Sequence, residues 1–376
     1  MTEENHDLHQ TSAELLAEIE AKRTRLCRRM EESDFGAVQL QRTENVAWLT
    51  AGRVDRRVLL PSPLSIATVL LLRGGEAFYI AADNEARRLA EEDFADLPFT
   101  PVIVPWHSPD VSTKVASITG GGRVAADIEQ EGATLLAGLR SSLCETEIER
   151  YRWLGRNTAE VTTTVLQSLT PGITERSMAS RTASALLDRN IEPSVLLMAA
   201  DDRILRYKHA VAQNNPVQRF GMLNLCSRRW GLCISITRFI HFGEMPPRLV
   251  DAFHAAAEVN ARLLTATREG ATAAQLFATA VDSYRELGYP GEESLHHQGG
   301  ATGYGEREWL ATPAGMERVV NHQAFAWNPS VAGGKIEDTV LLGDRQIEWL
   351  TSTPELPVVL TRVGSVTIQS AGVLIR

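Results

Sequence analysis

The chain is expected to be an α+β protein of two domains, on three observations. Its 376 residues are long for a single domain and leave room for a substantial core. Residues 12–130 alternate helical and strand patterns, as an α/β domain does. Residues 160–188 and 250–289 each read as helix, short glycine-containing turn and second amphipathic helix, and each is followed by strands. This weak internal echo fits a duplicated domain with helices outside a curved antiparallel sheet.

Residues 1–11 read as a polar, acidic and disordered tail. Thr11-Ser12 precede a helical pattern to about Ser33, striped by Leu15, Leu16, Ile19 and Leu26. Asp34-Phe35-Gly36 breaks it, AVQLQ reads as a strand, and Thr43-Glu44-Asn45 opens a short helix. SIATVLLLRGGEAFYIAA is a hairpin about Gly74-Gly75. DNEARRLAEEDFADL is helical, TPVIVPW and GRVAADI are strands, and Leu135–Cys144 reads as a short connecting helix. The boundary then falls near residues 132–145, dividing residues 12–132 from 133–376. A long helix starts at Glu145 and ends at Pro171-Gly172, and another runs from Thr174 to Leu187. FGMLNLCSRRWGLCISITRFIHFG alternates as a hairpin. With its turn at Arg229-Trp230, Asn224 opposes Ser235, and Thr237 lies on the same face. The tail PVVLTRVGSVTIQSAGVLIR reads as strand that extends the sheet or a dimer edge.

Composition narrows the function. Hydrophobic content of 44% and charged content of 23% are those of an ordinary globule. A net charge of −9 without a basic tract argues against nucleic acid. The N-terminus is not a signal peptide, and no apolar run approaches the about 18 residues that span a bilayer. The cytoplasm is the expected compartment, with no membrane partner. Cys27, Cys144, Cys226 and Cys233 have no metal-ligand spacing and read as reduced thiols, the last two near the hairpin.

Leu295–Glu308, LHHQGGATGYGERE, concentrates the chemistry-bearing residues. Its glycines permit close backbone approach to a ligand. His296 and His297 are adjacent, so on a strand they face opposite ways.

The order ETEIERYR, LTPGITE, SITRFIHFGE, HHQGGATGY and WNPSVAGGKIEDTVLL resembles the pita-bread family of creatinase, aminopeptidase P, prolidase and methionine aminopeptidase. ENVAWLTAGR resembles the strand–loop signature of the creatinase-type N-terminal domain, so the resemblance spans nearly the whole chain. It implies a creatinase-like α/β domain followed by a pita-bread domain. In the family's peptidases, two aspartates, a histidine and two glutamates hold two divalent metals. Those positions fall here on Asn224, Ser235, Gly300, Asn328 and Glu337. A shifted register, with His297 as the metal histidine and Gly300 as its following glycine, loses the match of Arg307-Glu308 to the family's later His-Glu. One carboxylate among neutral groups cannot offset two divalent ions, so no metal and no other cofactor is expected.

Creatinase works without metal through a histidine upstream of the first aspartate position, and His209 lies fifteen residues before Asn224. An imidazole there suits acid/base work. The expected enzyme is therefore a metal-independent, creatinase-like hydrolase of C–N bonds in a small polar, amino-acid-like molecule. His209 or His297 would move the proton, and Glu337 would hold a cationic substrate group or act as base. Arg307, where the peptidases carry a second, substrate-binding histidine, would clamp a carboxylate. Gln298, Thr302, Tyr304, Asn224, Ser235 and Asn328 would orient the substrate, and Trp327 would wall the pocket or fill the core. Arg203, Arg206, Lys208 and Lys335 read mostly as surface charges. Two alternatives stand beside this: a non-catalytic pita-bread protein that binds a ligand or protein partner, and a residual Xaa-Pro dipeptidase. The resemblance also implies a homodimer.

Overall fold

The structure is a computed structural model that describes residues 10–55, 57–60, 62–344 and 346–376. Most of the expected tail therefore lies outside the described residues. Gln10 and Thr11 do not: Gln10 donates to the Thr146 carbonyl, and Thr11 caps the first helix, Ser12–Glu32, in a reciprocal capping box with Glu14. Among the described residues no helix is long and apolar enough to cross a membrane.

The chain forms two compact units. One comprises the described residues through Glu147 with Trp230–Leu232; the other comprises Ile148–Arg229 and Cys233–Arg376. The first is built on five strands: β1 (Ala37–Arg42), β2 (Leu64–Leu72), β3 (Ala77–Ala82), β4 (Thr100–Val104) and β5 (Val124–Ala126), in the order β4-β3-β2-β1-β5. The β1–β2 and β2–β3 pairs are antiparallel, and the β1–β5 and β3–β4 pairs are parallel. Ala37, Leu70, Ile80, Val104 and Val115 form its core. Val115 belongs to a helix, Val111–Thr119, that the periodicity did not show; its signals are the Asp110 N-cap and the left-handed Gly120 that ends it. The expected connecting helix over 135–144 is instead Gln130–Leu136 followed by turns, because Gly138 takes a positive φ of 76°.

In the second unit four longer helices, Glu145–Ser168, Glu175–Leu187, Pro247–Ala266 and Ala273–Glu286, accompany two larger sheets and two two-stranded ones. The strands are β6 (Glu192–Ala200), β7 (Phe220–Arg229), β8 (Leu232–His241), β9 (Gly299–Thr302), β10 (Trp309–Leu310), β11 (Gln323–Trp327), β12 (Ser330–Val331), β13 (Gly334–Lys335), β14 (Asp338–Leu342), β15 (Ile347–Trp349), β16 (Val358–Val363), β17 (Val366–Ala371) and β18 (Val373–Ile375). One sheet runs β18-β8-β7-β6 and the other β10-β9-β11-β14-β15. A bridge from Thr237 to Glu337 joins them into one curved surface. The end of the tail, β18, extends the first sheet and lies parallel to β8, while β16 and β17 form a two-stranded sheet of their own. The internal echo is visible in detail. Thr174 and Thr272 both cap the second helix of their repeat, and each forms an isolated bridge, to Pro216 and Arg318 respectively.

Two expectations about local structure are corrected. The hairpin turn is Trp230-Gly231, with φ of 55° and 78°, not Arg229-Trp230. A two-residue hairpin turn of this kind needs positive φ at both central residues, and only this placement puts a glycine at one of them. Asn224 consequently bonds across to Thr237, and Cys226 to Ser235. All four still share one face, because the shift is an even number of residues. The glycine-rich stretch is also not simply a loop: Gly299–Thr302 is strand β9, paired between β10 and β11.

Candidate active site

The site is assembled on the curved surface where the two sheets meet. On β7 and β8, Asn224, Cys226, Ser235 and Thr237 point one way because alternate residues share a face. Glu337 reaches the same place from the other sheet. Its backbone carbonyl accepts from the Thr237 amide at 3.1 Å, and its carboxylate is 3% exposed. Oε2 receives the Asn224 amide at 2.6 Å, the Thr237 hydroxyl at 2.6 Å and the Lys335 ammonium at 2.9 Å. Oε1 receives Arg307 Nη2 at 3.3 Å. Nη1 of the same guanidinium donates to Ser235 Oγ at 3.0 Å. Burial alone pushes the Glu337 carboxyl upward, but Lys335, Arg307 and the Thr237 hydroxyl outweigh it and hold it at about 2.

This arrangement corrects two expectations. Lys335 is not a surface charge but a buried cation. Glu337 is not poised as a base and has no place for a cationic substrate group, since the protein's own cations hold it ionised and occupy it. Of the other cations weighed, Arg203 is spent on buried Glu175 at 2.8 Å and Lys208 on Glu292 at 2.6 Å, while Arg206 is exposed.

Three histidines stand beside this ion triad. His209 is exposed, on the irregular segment before β7, and its Nε2 lies 2.9 Å from Nε2 of His296. His296 and His297 are half-buried, and their rings stack with centroids 4.3 Å apart and planes 26° apart. The opposite-facing reading fails: the two rings stack on one another, and both residues lie before β9, His296 with an extended backbone. Burial, then Lys335, lowers His209 and takes His296 to about 3; burial, then Arg307, takes His297 to about 4; Glu337 opposes in each case. At neutral pH all three are uncharged, and the Nε2–Nε2 hydrogen bond engages the lone pair of one of the two rings, His209 or His296. A small cavity of about 20 Å³ beside His296 and Lys335, lined also by Tyr207, Lys208, Met222 and Phe239, has room for one water.

The remaining expected residues divide. Asn224 and Ser235 belong to the triad's shell. Asn328 is 2% exposed, and its side-chain carbonyl oxygen has no hydrogen-bond partner. Gln298 is a brace: it accepts from Tyr284 Oη at 2.8 Å and donates to the His296 carbonyl at 2.6 Å. Thr302 spends its hydroxyl on the Cys233 and Gly305 carbonyls, and Tyr304 is buried to 1% exposure. Trp327 belongs to the helix-backed core, with its indole donating to Thr267 Oγ1 at 3.1 Å, so it fills the core rather than walling a pocket. Sequence reasoning weighed Lys335 among mostly surface charges and His296 only as the neighbour of His297, and gave neither a place in the site. For Lys335 the signal was its position two residues before Glu337; for His296 it was adjacency to His297.

A curved sheet backed by paired helices, preceded by a smaller α/β unit, defines the pita-bread class. Residues 149–344, just over half of the chain, match metallopeptidase family M24, and the chain belongs to this family. It is 24% identical over 197 residues to the Xaa-Pro dipeptidase of Pyrococcus furiosus; that match covers 50% of this chain and 56% of the relative, so only about half of the relative's length is spanned. In structure it is similar to dipeptidase PepE from Mycobacterium ulcerans, with a TM-score of 0.76, 18% identity, and coverage of 90% of this chain and 97% of the other. It is likewise similar to an Xaa-Pro dipeptidase from Bacillus anthracis, with a TM-score of 0.75, 16% identity, and coverage of 95% and 100%.

The metal pair implied by this family does not fit the residues present. Four of the five positions hold neutral Asn224, Ser235, Gly300 and Asn328, and the fifth, Glu337, is already neutralised. At Gly300 even a methyl group would stand 2.1 Å from the Trp309 carbonyl oxygen, so no ligand side chain can be carried there. Arg307 bridges Ser235 and Glu337, two of the five positions, and Lys335 adds a second fixed positive charge.

Proposed function

We propose that the chain is a hydrolase that works through its own histidines rather than through a metal pair. It would cleave a C–N bond in a small polar, amino-acid-like substrate, as creatinase-type chemistry does. The observation that carries this reading is the buried Lys335–Glu337–Arg307 triad beside three uncharged imidazoles. The triad supplies fixed positive charge where the metallopeptidases carry ions. Lys335 and Arg307 together exceed Glu337 by one charge, which favours a substrate carboxylate. Arg307 is placed to hold it, since its buried Nε has no partner.

His209, exposed and hydrogen-bonded to His296, takes a proton from the attacking water. As oxygen bonds to carbon, the C–N bond breaks and the proton passes to the departing nitrogen. The chain acts in the cytoplasm as a homodimer. A second reading, a non-catalytic protein that binds the same class of ligand, is favoured by the saturation of Glu337 with donors from the protein itself.

The experiment is a panel of amides and carbamoyl or guanidino acids, with Xaa-Pro dipeptides included, offered to chelator-treated protein. The expected result is metal-free turnover that falls about 10²–10⁴-fold in His209→Ala. Cleavage of Xaa-Pro dipeptides only after metal addition would overturn the proposal, and calorimetric binding without turnover would favour the second reading.

A further inference from the structure

We infer that His209, His296 and His297 form a binding site for a single imidazole-preferring divalent ion, foremost zinc(II), whose occupancy switches off the hydrolysis proposed above. The regulatory half rests on that reading; the binding half does not.

The geometry is close to what an ion requires. One nitrogen from each of the three rings lies within 4.8 Å of the others, and the His209 and His296 Nε2 atoms are 2.9 Å apart. At zinc–nitrogen bonds of about 2.0–2.1 Å, two ligands of one ion stand no more than about 4.2 Å apart. The adjustment needed is below about 1 Å, and His209, exposed on an irregular segment, is free to make it.

The second observation is independent of the spacing. Nδ1 of His296 and Nδ1 of His297 are both buried without any hydrogen-bond partner. Buried ring nitrogens normally find one, because leaving them unpaired is costly. An ion ligated through Nδ1 of His296 or His297 gives that nitrogen the partner it lacks.

The surroundings choose the ion. Lys335 and Arg307 act against any cation here, and Glu337 offsets only one of the two charges. Among the described residues the group close enough to hold an ion here contains histidines and no carboxylate, so magnesium, calcium and manganese, which need oxygen ligands, are disfavoured. Zinc, copper and nickel bind imidazole strongly enough to overcome the opposing charge. None of the three histidines stands at one of the five family positions in the register that matches Arg307-Glu308 to the family's later His-Glu. The site is therefore not a remnant of the family centre. Because an ion occupies the lone pairs that would receive the proton, occupancy and catalysis exclude each other.

The test is a titration of chelator-treated full-length protein with cobalt(II), read by its visible absorption, followed by displacement with zinc(II). One saturable equivalent is expected, weakened at least about tenfold in His296→Ala and in His209→Ala, while Glu337→Gln changes it less. His209 is exposed, so its variant keeps the fold, which circular dichroism confirms. Absence of saturable zinc binding would overturn the site. Binding that survives His296→Ala and is lost in Glu337→Gln would overturn it too, in favour of a family-type centre. Zinc that binds but leaves turnover unchanged would overturn the switch. Binding is read without substrate, so failure of the zinc titration and failure of the hydrolase reading are told apart.

Discussion

At the scale of single residues, Glu337 and Lys335 carry the interpretation. A carboxylate at 3% exposure is stable only while its charge is matched, and here four donors from four residues match it. Breaking one partner from a buried pair leaves an uncompensated charge. Lys335→Met is therefore expected to lose about 3–5 kcal/mol in denaturant unfolding. The double variant Lys335→Met/Glu337→Gln should lose less than the sum of the two single changes, because they share one interaction. The same residue predicts a pH dependence. The folded carboxyl titrates at about 2, below its ordinary 4.5, so its contribution is fully present above pH 4.5 and disappears as pH falls toward 2. The melting-temperature gap between the wild type and Glu337→Gln should narrow over that window; a gap that widens on acidification would contradict the assignment.

Much of this was legible in the sequence. The resemblance to the family's peptidases implies that Asn224, Ser235 and Asn328 stand where acidic ligands would be and that Glu337 keeps one. The identity of its counter-ions could not, because a lysine reads as surface until its burial is known. Lys335 precedes a buried carboxylate by two residues, the spacing that puts two side chains on one side of an extended segment. That pattern would have recovered it.

At the scale of elements, the β7–β8 hairpin and the β9 strand position the chemistry. The hairpin register was misread because alternation alone fixes the face of a residue but not its partner. The positive-φ requirement of the turn fixes the partner, and Gly231 supplies it. At β9 close packing governs. Gly300 is pressed against the Trp309 carbonyl, so Gly300→Ala forces the strands apart and should cost about 1–3 kcal/mol in thermal or chemical unfolding. If Gly300→Ala melts like the wild type, the strand contact is looser than described. Composition hid this strand: four glycines between Gly299 and Gly305 read as a loop, yet two of them are needed for its close pairing to β10 and β11.

At the scale of the whole molecule, the order of elements was the most legible feature. The repeated helix–turn–helix units and the strands after them are specified by periodicity and capping, which are local. The meeting of Arg307, Lys335 and Glu337 with His209, His296 and His297 is not local, since those residues are spread over nearly 130 positions of the chain. The family's fold is kept, and within it Lys335 and Arg307 hold the buried Glu337 carboxylate as fixed charges. The most direct test is hydrolysis by chelator-treated protein before and after manganese(II), an ion that takes oxygen ligands and not the three-histidine cluster. Turnover without the ion, unchanged when it is added, is the predicted result; a protein inert until manganese(II) is supplied would contradict it.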